Sequence, residues 1–582
     1  MRIRKYDFNY SRRAFLDKMA TGAMAAGVLS PLWPLIARAG DITKAYPEEL
    51  LSIEAYTKGK IKTGDLITAD NVEHVKDLLD PVAYVHVSQM GRQIRIVKTT
   101  TDATRLFPRK YLEATLRNQG KARLDADGNV VTAEGKPWIG GNPFPDPKDG
   151  LEAFSNLTLS WGRHDNSFYA VRDWDIGPDG DLQYEYDFCW AEQNTVALVG
   201  PNGPYMPGHE DKLRFQSVWF TYPNDSKGTS FLNTWYYDQR KFPDLQGYLP
   251  AFKRVRRFPT NQRFEPLVPG ITLFLSDAWA AGDPMLTWGN YKVIGRQPML
   301  GAVSENWMGP DTNYERPVHG GAKGKTFMET AMELVPETIV IEAEPTGYPR
   351  APVGKKRVWI DTRNMMYVAY VTYDRRGELW KSFEPAYSVY EKGDHKLMDG
   401  AEPAWSWTHV HCHDVQTNRM SRFVQAEEVR GGFRSGFDIE GMYDKYLTMQ
   451  ALLRMGTCCP GDGGLPAVAR RCCWRRCAVP RPGQRNPPCC TRASCTTRST
   501  TCASMRAARW RWARRAWCWR AATRARAGSP SRRRPRHSRC SGLPALTRGG
   551  WRSGRPGSCW STTATAGARS SRAPSSACWR WR

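Results

Sequence analysis

Residues 212–259 of the 582-residue chain read KLRFQSVWFTYPNDSKGTSFLNTWYYDQRKFPDLQGYLPAFKRVRRFP. Short runs rich in Phe, Tyr, Trp, Val and Thr are separated by clusters of Gly, Pro, Asn and Asp, as is typical of consecutive antiparallel strands. The stretch therefore predicts a β-sheet. Because its aromatic residues are too many for one buried face, we expect the sheet to curl around a core or a cavity, or to pack under helices.

The pattern on both sides of this stretch predicts more strands and a few short helices. Helices are expected at residues 46–56, 69–79, 108–118, 150–157 and 444–453, and strands at 83–88, 92–98, 184–190, 286–295, 356–361, 366–373 and 405–415. Strands that follow one another through short turns favour antiparallel pairing. The sequence therefore predicts an α+β fold dominated by an antiparallel sheet.

The end of the chain differs in composition from the rest. The formal net charge is +26, but residues 457–582 hold 28 of the 84 basic residues and one of the 58 acidic residues. They also hold 13 of the 15 Cys and 9 of the 23 Trp, and they contain no Lys, Phe, Tyr or Ile. The remaining residues carry a net charge of −1. This balance excludes a generally basic, nucleic-acid-binding protein.

We interpret residues 457–582 as out-of-frame or read-through translation, because a G/C-rich gene read in the wrong frame yields this composition. The alternatives are an Arg-rich nucleic-acid arm, or a Cys scaffold on Cys458-Cys459, Cys472-Cys473 and Cys489-Cys490. The Cys pairs lack the CxxC spacing of zinc sites, and the segment has no apolar period of 2 or 3.6 residues. We therefore predict a disordered tail.

The N-terminus has the features of an export signal. Ser11-Arg12-Arg13-Ala14-Phe15-Leu16-Asp17-Lys18 precedes an apolar run rich in Ala and Gly at residues 19–36, and Ala37-Arg38-Ala39 follows. The twin Arg and the A-x-A pattern predict a cleaved Tat-type signal peptide at residues 1–39 and a periplasmic location. A membrane-spanning anchor is the alternative, which two prolines and the low apolar density of the run disfavour.

Four motifs carry a resemblance to a known family. They are Gly140-Gly-Asn-Pro-Phe-Pro-Asp-Pro147, Tyr248-Leu-Pro-Ala-Phe-Lys-Arg-Val-Arg-Arg-Phe-Pro259, Tyr291-Lys-Val-Ile-Gly-Arg296 and Tyr373-Asp-Arg-Arg-Gly-Glu-Leu-Trp-Lys381. In this order they resemble a bacterial domain-of-unknown-function family described as outer-membrane-lipoprotein-sorting-like, with a LolA/LolB-like fold. The resemblance covers about residues 40–456. It implies an incomplete, half-open antiparallel β-barrel, closed by short helices over an apolar cavity that takes acyl chains.

The resemblance and the aromatic surplus together predict a carrier, with no catalytic activity and no cofactor. A lipid or a lipoprotein acyl chain would partition into the cavity, between an inner-membrane exporter and an outer-membrane acceptor. The expected cavity residues are Trp219, Trp235, Tyr237, Phe252 and Trp288. Aromatic residues on strands more often belong to an ordinary core, so that alternative stays open for each of them.

The basic strand Lys253-Arg-Val-Arg-Arg257 suggests a second part of the site. Arg254 and Arg256 could capture an anionic headgroup at the mouth of the cavity, because Arg suits phosphate. The alternative is a solvated edge strand whose charges discourage strand-to-strand aggregation.

A metal-dependent periplasmic enzyme is the rival prediction. In His409-Val-His-Cys-His-Asp414, a strand period of 2 would place His409, His411 and His413 on one face, where they could hold Zn or Cu. Solvent-facing or hydrogen-bonded histidines are the ordinary alternative. Arg163-His164-Asp165 could supply a base and its orienting group, but sequence neighbours rarely converge on a substrate. A third reading is a ligand-free accessory protein of an export pump.

Overall fold

A computed structural model describes residues 42–43, 45–159, 161–310 and 316–457 of the chain. The predicted signal peptide at residues 1–39 lies outside the described residues, as does the predicted tail beyond Thr457. The described part is dominated by one sheet of 16 strands.

The strands of this sheet are joined mostly by turns, as the alternating runs and turn clusters of the sequence predict. They are β1 (Leu66–Ile67), β2 (Ile94–Ile96), β5 (Asn166–Ile176), β6 (Leu182–Asn194), β7 (Lys212–Tyr222), β8 (Ser230–Tyr236), β9 (Asp244–Leu249), β10 (Arg254–Phe258), β11 (Gly289–Gly301), β14 (Thr330–Glu344), β15 (Val353–Asp361), β16 (Tyr367–Asp374), β17 (Leu379–Val389), β22 (Trp405–Asp414), β23 (Arg419–Ala426) and β26 (Gly436–Phe437). Five two-residue ribbons are separate: β3 (Arg123–Leu124) with β4 (Val130–Val131), β12 (Val318–His319) with β13 (Phe327–Met328), β18 (Glu391–Lys392) with β19 (His395–Lys396), β20 (Met398–Asp399) with β21 (Glu402–Pro403), and β24 (Glu428–Val429) with β25 (Phe433–Arg434).

Helices are short and few among the described residues. They are α1 (Glu48–Leu51), α2 (Ile53–Tyr56), α3 (Pro81–Met90), α4 (Arg109–Asn118), α5 (Gly150–Leu159), α6 (Met442–Tyr446) and α7 (Met449–Thr457). None of them combines the length and the apolar content needed to cross a membrane.

The strand order shows that the sheet does not close. From one edge it runs β10-β9-β8-β7-β6-β5-β23-β22-β17-β16-β15-β14, and β14 then pairs with β11 along most of its length and with β2 at its start. Every pair of neighbours is antiparallel except β14 and β2. Among the described residues β10 and β11 do not pair with each other, so the sheet is open, with β10 at one edge and with β11 and β1 at the other. The predicted α+β fold with an unclosed, mostly antiparallel sheet is confirmed.

Both faces of the sheet are buried, which explains the surplus of aromatic residues. On β5, Tyr169 and Val171 belong to the largest hydrophobic cluster, on a side that we call face A. Phe168 and Ala170 belong to a different cluster on the opposite side, face B. Helix α5 packs on face A and α6 on face B, whereas α7 contacts β8 and β9.

One predicted strand is wrong, because residues 83–88 lie inside helix α3. The side chain of Asp80 accepts hydrogen bonds from Val82 N and Ala83 N, and Pro81 occupies the first turn. Gly91, at φ 73°, ends the helix in the left-handed conformation. Residues 82–87 are all buried. A helix that is buried on every side has apolar residues all around and lacks the 3.6-residue period of an amphipathic helix. The alternation of apolar residues in this segment was therefore mistaken for the pattern of a strand.

Candidate functional site

Residues 259–288 form an irregular segment that covers face A, and we call it the cover segment. It connects β10 and β11, which lie at opposite edges of the sheet, and its only regular structure is three short 3₁₀ turns. Several of its apolar side chains, among them Val268, Ile271 and Leu275, are buried in the face A cluster. Face A is therefore covered here by a single chain segment, without a second sheet.

The cover segment makes a hydrogen bond to nearly every strand that it crosses. The bonds are Tyr186 Oη to Pro269 O at 2.7 Å, Thr272 N to Ser421 Oγ at 2.9 Å, Thr272 Oγ1 to Cys412 O at 2.9 Å, Lys381 Nζ to Thr272 O at 2.7 Å, Tyr370 Oη to Asp277 O at 2.8 Å and Lys356 Nζ to Ala280 O at 2.8 Å. All six join the segment to the sheet through at least one side chain. Because none extends a β-ladder, they can break without unpairing any strand.

Buried charges strengthen this attachment. Lys381 Nζ lies 3.1 Å from Asp277 Oδ2. Arg263, which pairs with Asp283 inside the segment, donates a hydrogen bond from Nη1 to Asn233 Oδ1 of β8 at 2.9 Å. Lys356 Nζ lies 4.0 Å from the ring centre of Trp288. Burial lowers the pKa of Lys356 to about 7. An amine held beneath the cover segment therefore titrates near neutral pH.

The structure does not gather the five predicted cavity aromatics at one place. Trp235 is fully buried on face A, and Tyr237 packs against the same cluster. Trp288 is the last residue of the cover segment and lies in a small separate cluster. Trp219 faces the opposite way, on face B, where its ring stacks on Tyr446. Phe252 is 55% exposed.

The predicted headgroup residues lie on β10, an edge strand of the sheet. Arg254 and Arg256 are both exposed. The guanidinium of Arg256 lies 4.6 Å from the ring centre of Phe252. No described carboxylate lies within ion-pair distance of either Arg, so both charges are available to an anion from solution.

The three histidines of β22 lie on face B and are buried. His413 Nδ1 lies 2.9 Å from Nε2 of His86, which comes from α3. His411 Nε2 accepts a hydrogen bond from Met328 N at 3.1 Å, and His409 Nε2 lies 3.2 Å from Thr330 Oγ1. Each ring is thus held by a separate partner. These histidines are not among the described sets whose ligand atoms lie within 4.8 Å of one another.

A buried ion pair lies beside these histidines. Arg92 binds Glu384 through both terminal nitrogens, with Nη1 2.8 Å from Oε2, and Glu384 Oε1 is 3.6 Å from His411 Nδ1. Burial disfavours the charged form of both rings, and it lowers the pKa of His411 and of His413 to about 4. The cluster therefore holds neutral imidazoles around one guanidinium and one carboxylate.

A second polar cluster joins His164, from the Arg163-His164-Asp165 motif, to residues that the sequence did not single out. His164 Nδ1 lies 3.3 Å from Asp399 Oδ2, and Asp438 completes the set of potential metal ligands within 4.8 Å. Lys110 Nζ lies 3.1 Å from Asp399 and 3.2 Å from Asp438. Burial opposes the ionisation of Asp399, but His164 and Lys110 together lower its pKa to about 2. These residues are spread over more than 300 positions of the chain, so no local motif could have found them.

A surface pocket of about 400 Å³ lies beside the β3–β4 ribbon. Ala122, Ile139 and Tyr205 line its apolar part, and Lys121 and Lys136 stand among its polar residues. It is separate from the face A residues that the sequence singled out.

The fold and these clusters define a class of protein with one open, mostly antiparallel sheet and a covered face. The chain belongs to the family described as "Protein of unknown function (DUF1329)", whose model matches residues 66–453, about two-thirds of the chain. The predicted resemblance to a domain-of-unknown-function family is confirmed. No curated protein matches the chain.

Several crystal structures are similar to the chain at low identity. One, described as an outer membrane lipoprotein-sorting protein domain from Vibrio parahaemolyticus, is 16% identical and covers 52% of this chain and 98% of its own, with a TM-score of 0.34. A DUF1329 family protein from Desulfovibrio piger is 15% identical, covering 52% and 100%, with a TM-score of 0.34. A LolA superfamily protein from Nitrosomonas europaea is 13% identical, covering 52% and 99%, with a TM-score of 0.28. TM-scores this low support no functional argument, so the assignment rests on the family model.

Proposed function

We propose that the protein is a periplasmic carrier that shelters a lipid or a lipoprotein acyl chain on face A, beneath the cover segment. The observation that carries this proposal is the way in which face A is covered. Helix α5 covers part of this aromatic face, and another part lies under one irregular segment, which is attached by side-chain hydrogen bonds and not by strand pairing. Such a segment can leave the sheet intact when it moves.

Loading would exchange the contacts that hold the cover segment on face A for the burial of an acyl chain. The six hydrogen bonds to the strands, at about 0.5–1.5 kcal/mol each, contribute roughly 3–9 kcal/mol to the attachment of the cover segment. The buried pair of Lys381 and Asp277 adds to this attachment. A 14-carbon chain gains roughly 10 kcal/mol on burial, before the cost of ordering it is subtracted. An acyl chain would also replace the apolar contacts that Val268, Ile271 and Leu275 make with face A. An acyl chain that displaces the cover segment therefore has to offset both its hydrogen bonds and its apolar contacts with face A.

The exposed basic edge extends the proposal to the polar end of the ligand. Arg254 and Arg256 lie on β10, directly before the cover segment begins. A phosphate bound there would sit at the edge from which an acyl chain could enter beneath the segment. We further propose an inner-membrane exporter as donor and an outer-membrane protein as acceptor, with Tat export delivering the carrier to the periplasm.

The first test is native mass spectrometry of protein purified from its own periplasm. The expected result is a co-purified lipid or acylated peptide at up to one copy per chain. The carrier proposal would be contradicted if the purified protein held no such ligand and also failed to take up a fluorescent fatty acid. That result would favour a ligand-free accessory protein.

The second test loosens the cover segment without altering the aromatic residues of face A. Lys381→Met removes the hydrogen bond to Thr272 O and the ion pair with Asp277. Loss of a buried, charge-assisted contact worth about 1.5–3 kcal/mol should speed fatty-acid uptake roughly tenfold or more in stopped-flow fluorescence. Arg376→Met is the matched control, because Arg376 pairs with Asp374 in an exposed turn. Equal uptake rates for both variants would contradict a moving cover.

A further inference from the structure

The cluster of His164, Asp399 and Asp438 has an unusual hydrogen-bond pattern around one ring. His164 is buried, and its ring stacks on Phe437 with centroids 4.1 Å apart. Its Nε2 lies 2.9 Å from Trp405 O. A carbonyl oxygen can only accept a hydrogen bond, so Nε2 carries the proton of the neutral ring.

In a neutral ring, the other nitrogen of His164 would be a lone pair that points at a carboxylate. Nδ1 is buried without a hydrogen-bond partner, and Asp399 Oδ2 is 3.3 Å away. A lone pair that faces an anion at this distance is repulsive unless a positive species lies between them. A second proton on the ring would meet this need, and so would a cation.

The spacing of the three ligands suits a first-row divalent metal. Zn²⁺ bonds to imidazole nitrogen and carboxylate oxygen at about 2.0–2.2 Å, which places two ligands roughly 3.4 Å apart at a tetrahedral angle. The 3.3 Å between Nδ1 and Oδ2 matches this separation, and all three ligand atoms lie within 4.8 Å of one another. Imidazole is a poor ligand for Ca²⁺ and Mg²⁺, so the set favours a transition metal.

Lys110 now contributes the positive charge that binds both carboxylates. Its side chain is 40% exposed and comes from α4, so it can swing into solvent without disturbing a strand. Asp438 keeps its position when Lys110 leaves, because its Oδ1 accepts hydrogen bonds from Asp165 N and Asn166 N. The path that Lys110 vacates leads from solvent to the ligand atoms.

We propose that His164, Asp399 and Asp438 form a site for a divalent transition-metal ion, with Lys110 as the cation that the metal displaces. The site ties together the turn after residue 163, the β20–β21 ribbon and the end of β26. A fourth coordination position, on the Lys110 side, is open to water or to an anionic ligand. The site is separate from the predicted His409–His413 set and from the cover segment.

The test uses isothermal titration of Zn²⁺ into purified protein without a His tag. The wild type is expected to bind one Zn²⁺ per chain, and Lys110→Met to bind it at least tenfold more tightly because the competing ammonium is gone. Lys355→Met is the matched control, since Lys355 pairs with Glu342 elsewhere. Its affinity should equal that of the wild type.

Two further variants locate the ion. In the Lys110→Met background, His164→Gln and Asp399→Asn should each weaken binding more than a hundredfold, with folding checked by circular dichroism. In ¹⁵N-labelled Lys110→Met protein, Zn²⁺ should shift the Nδ1 signal of one histidine, and that signal should be missing in His164→Gln. Absence of stoichiometric Zn²⁺ from Lys110→Met, or binding that survives both ligand substitutions, would overturn the proposal.

Discussion

The buried histidines of face B predict a specific dependence of stability on pH. His413 is suited to the test because both ring nitrogens have neutral partners: Nδ1 lies 2.9 Å from His86 Nε2, and Nε2 lies 3.1 Å from Asn418 Oδ1. Burial lowers its folded pKa to about 4, whereas an unfolded histidine has a pKa of about 6.5. The perturbation is His413→Gln, which removes this titration.

The sign follows from which state binds the proton. Between pH 6.5 and 4 the unfolded chain protonates His413 and the folded chain does not, so the stabilisation by the neutral ring is complete above pH 6.5 and is lost as the pH falls. For these two pKa values the loss between pH 6 and pH 5 is about 1.2 kcal/mol. Buried acids act in the opposite direction, because burial raises the pKa of Glu192 to about 7. The informative quantity is therefore the difference between wild type and variant.

The assay is urea unfolding at pH 6 and at pH 5, at constant ionic strength. The free energy of unfolding of the wild type should fall by about 1.2 kcal/mol more than that of His413→Gln. His74→Gln is the control, because His74 is exposed and should leave the wild-type dependence unchanged. Equal losses in the wild type and in His413→Gln would refute the assignment of a neutral, buried ring.

Two further predictions concern stability. Arg92→Met leaves the buried carboxylate of Glu384 without its bidentate partner and should lower the free energy of unfolding by about 3–5 kcal/mol, while Glu384→Gln in the same background should restore part of it. Chemical denaturation measures both, and a double variant no more stable than the single one would contradict the pairing. Trp235→Ala should cost about 3–5 kcal/mol because the side chain is fully buried, whereas Phe252→Ala, at 55% exposure, should stay within about 0.5 kcal/mol. Similar melting temperatures for these two variants would contradict the assigned burial.

The class of fold could be predicted from the sequence because turn residues and aromatic runs act locally. The stretch 212–259 forms β7 to β10, with breaks close to its Gly, Pro, Asn and Asp clusters. The hairpin expected at 356–361 and 366–373 is β15 and β16. The family resemblance was carried by short motifs that need no tertiary information. Helix α3 was missed because its apolar alternation reflects burial on all sides, although Asp80, Pro81 and Gly91 marked its ends.

The sequence by itself determined an antiparallel sheet with more aromatic residues than one face can bury, and it placed three histidines on a single face of one strand. Only the tertiary structure decided which face each aromatic residue occupies. The period of 2 in a strand shows which residues share a face, but it does not show which face of the sheet that is. Tertiary structure also supplied the partners of the histidines, the cover segment on face A and the contact of Lys110 with Asp399 and Asp438. These are contacts between distant parts of the chain, and pairing at long range depends on how the whole sheet folds, which no local pattern records.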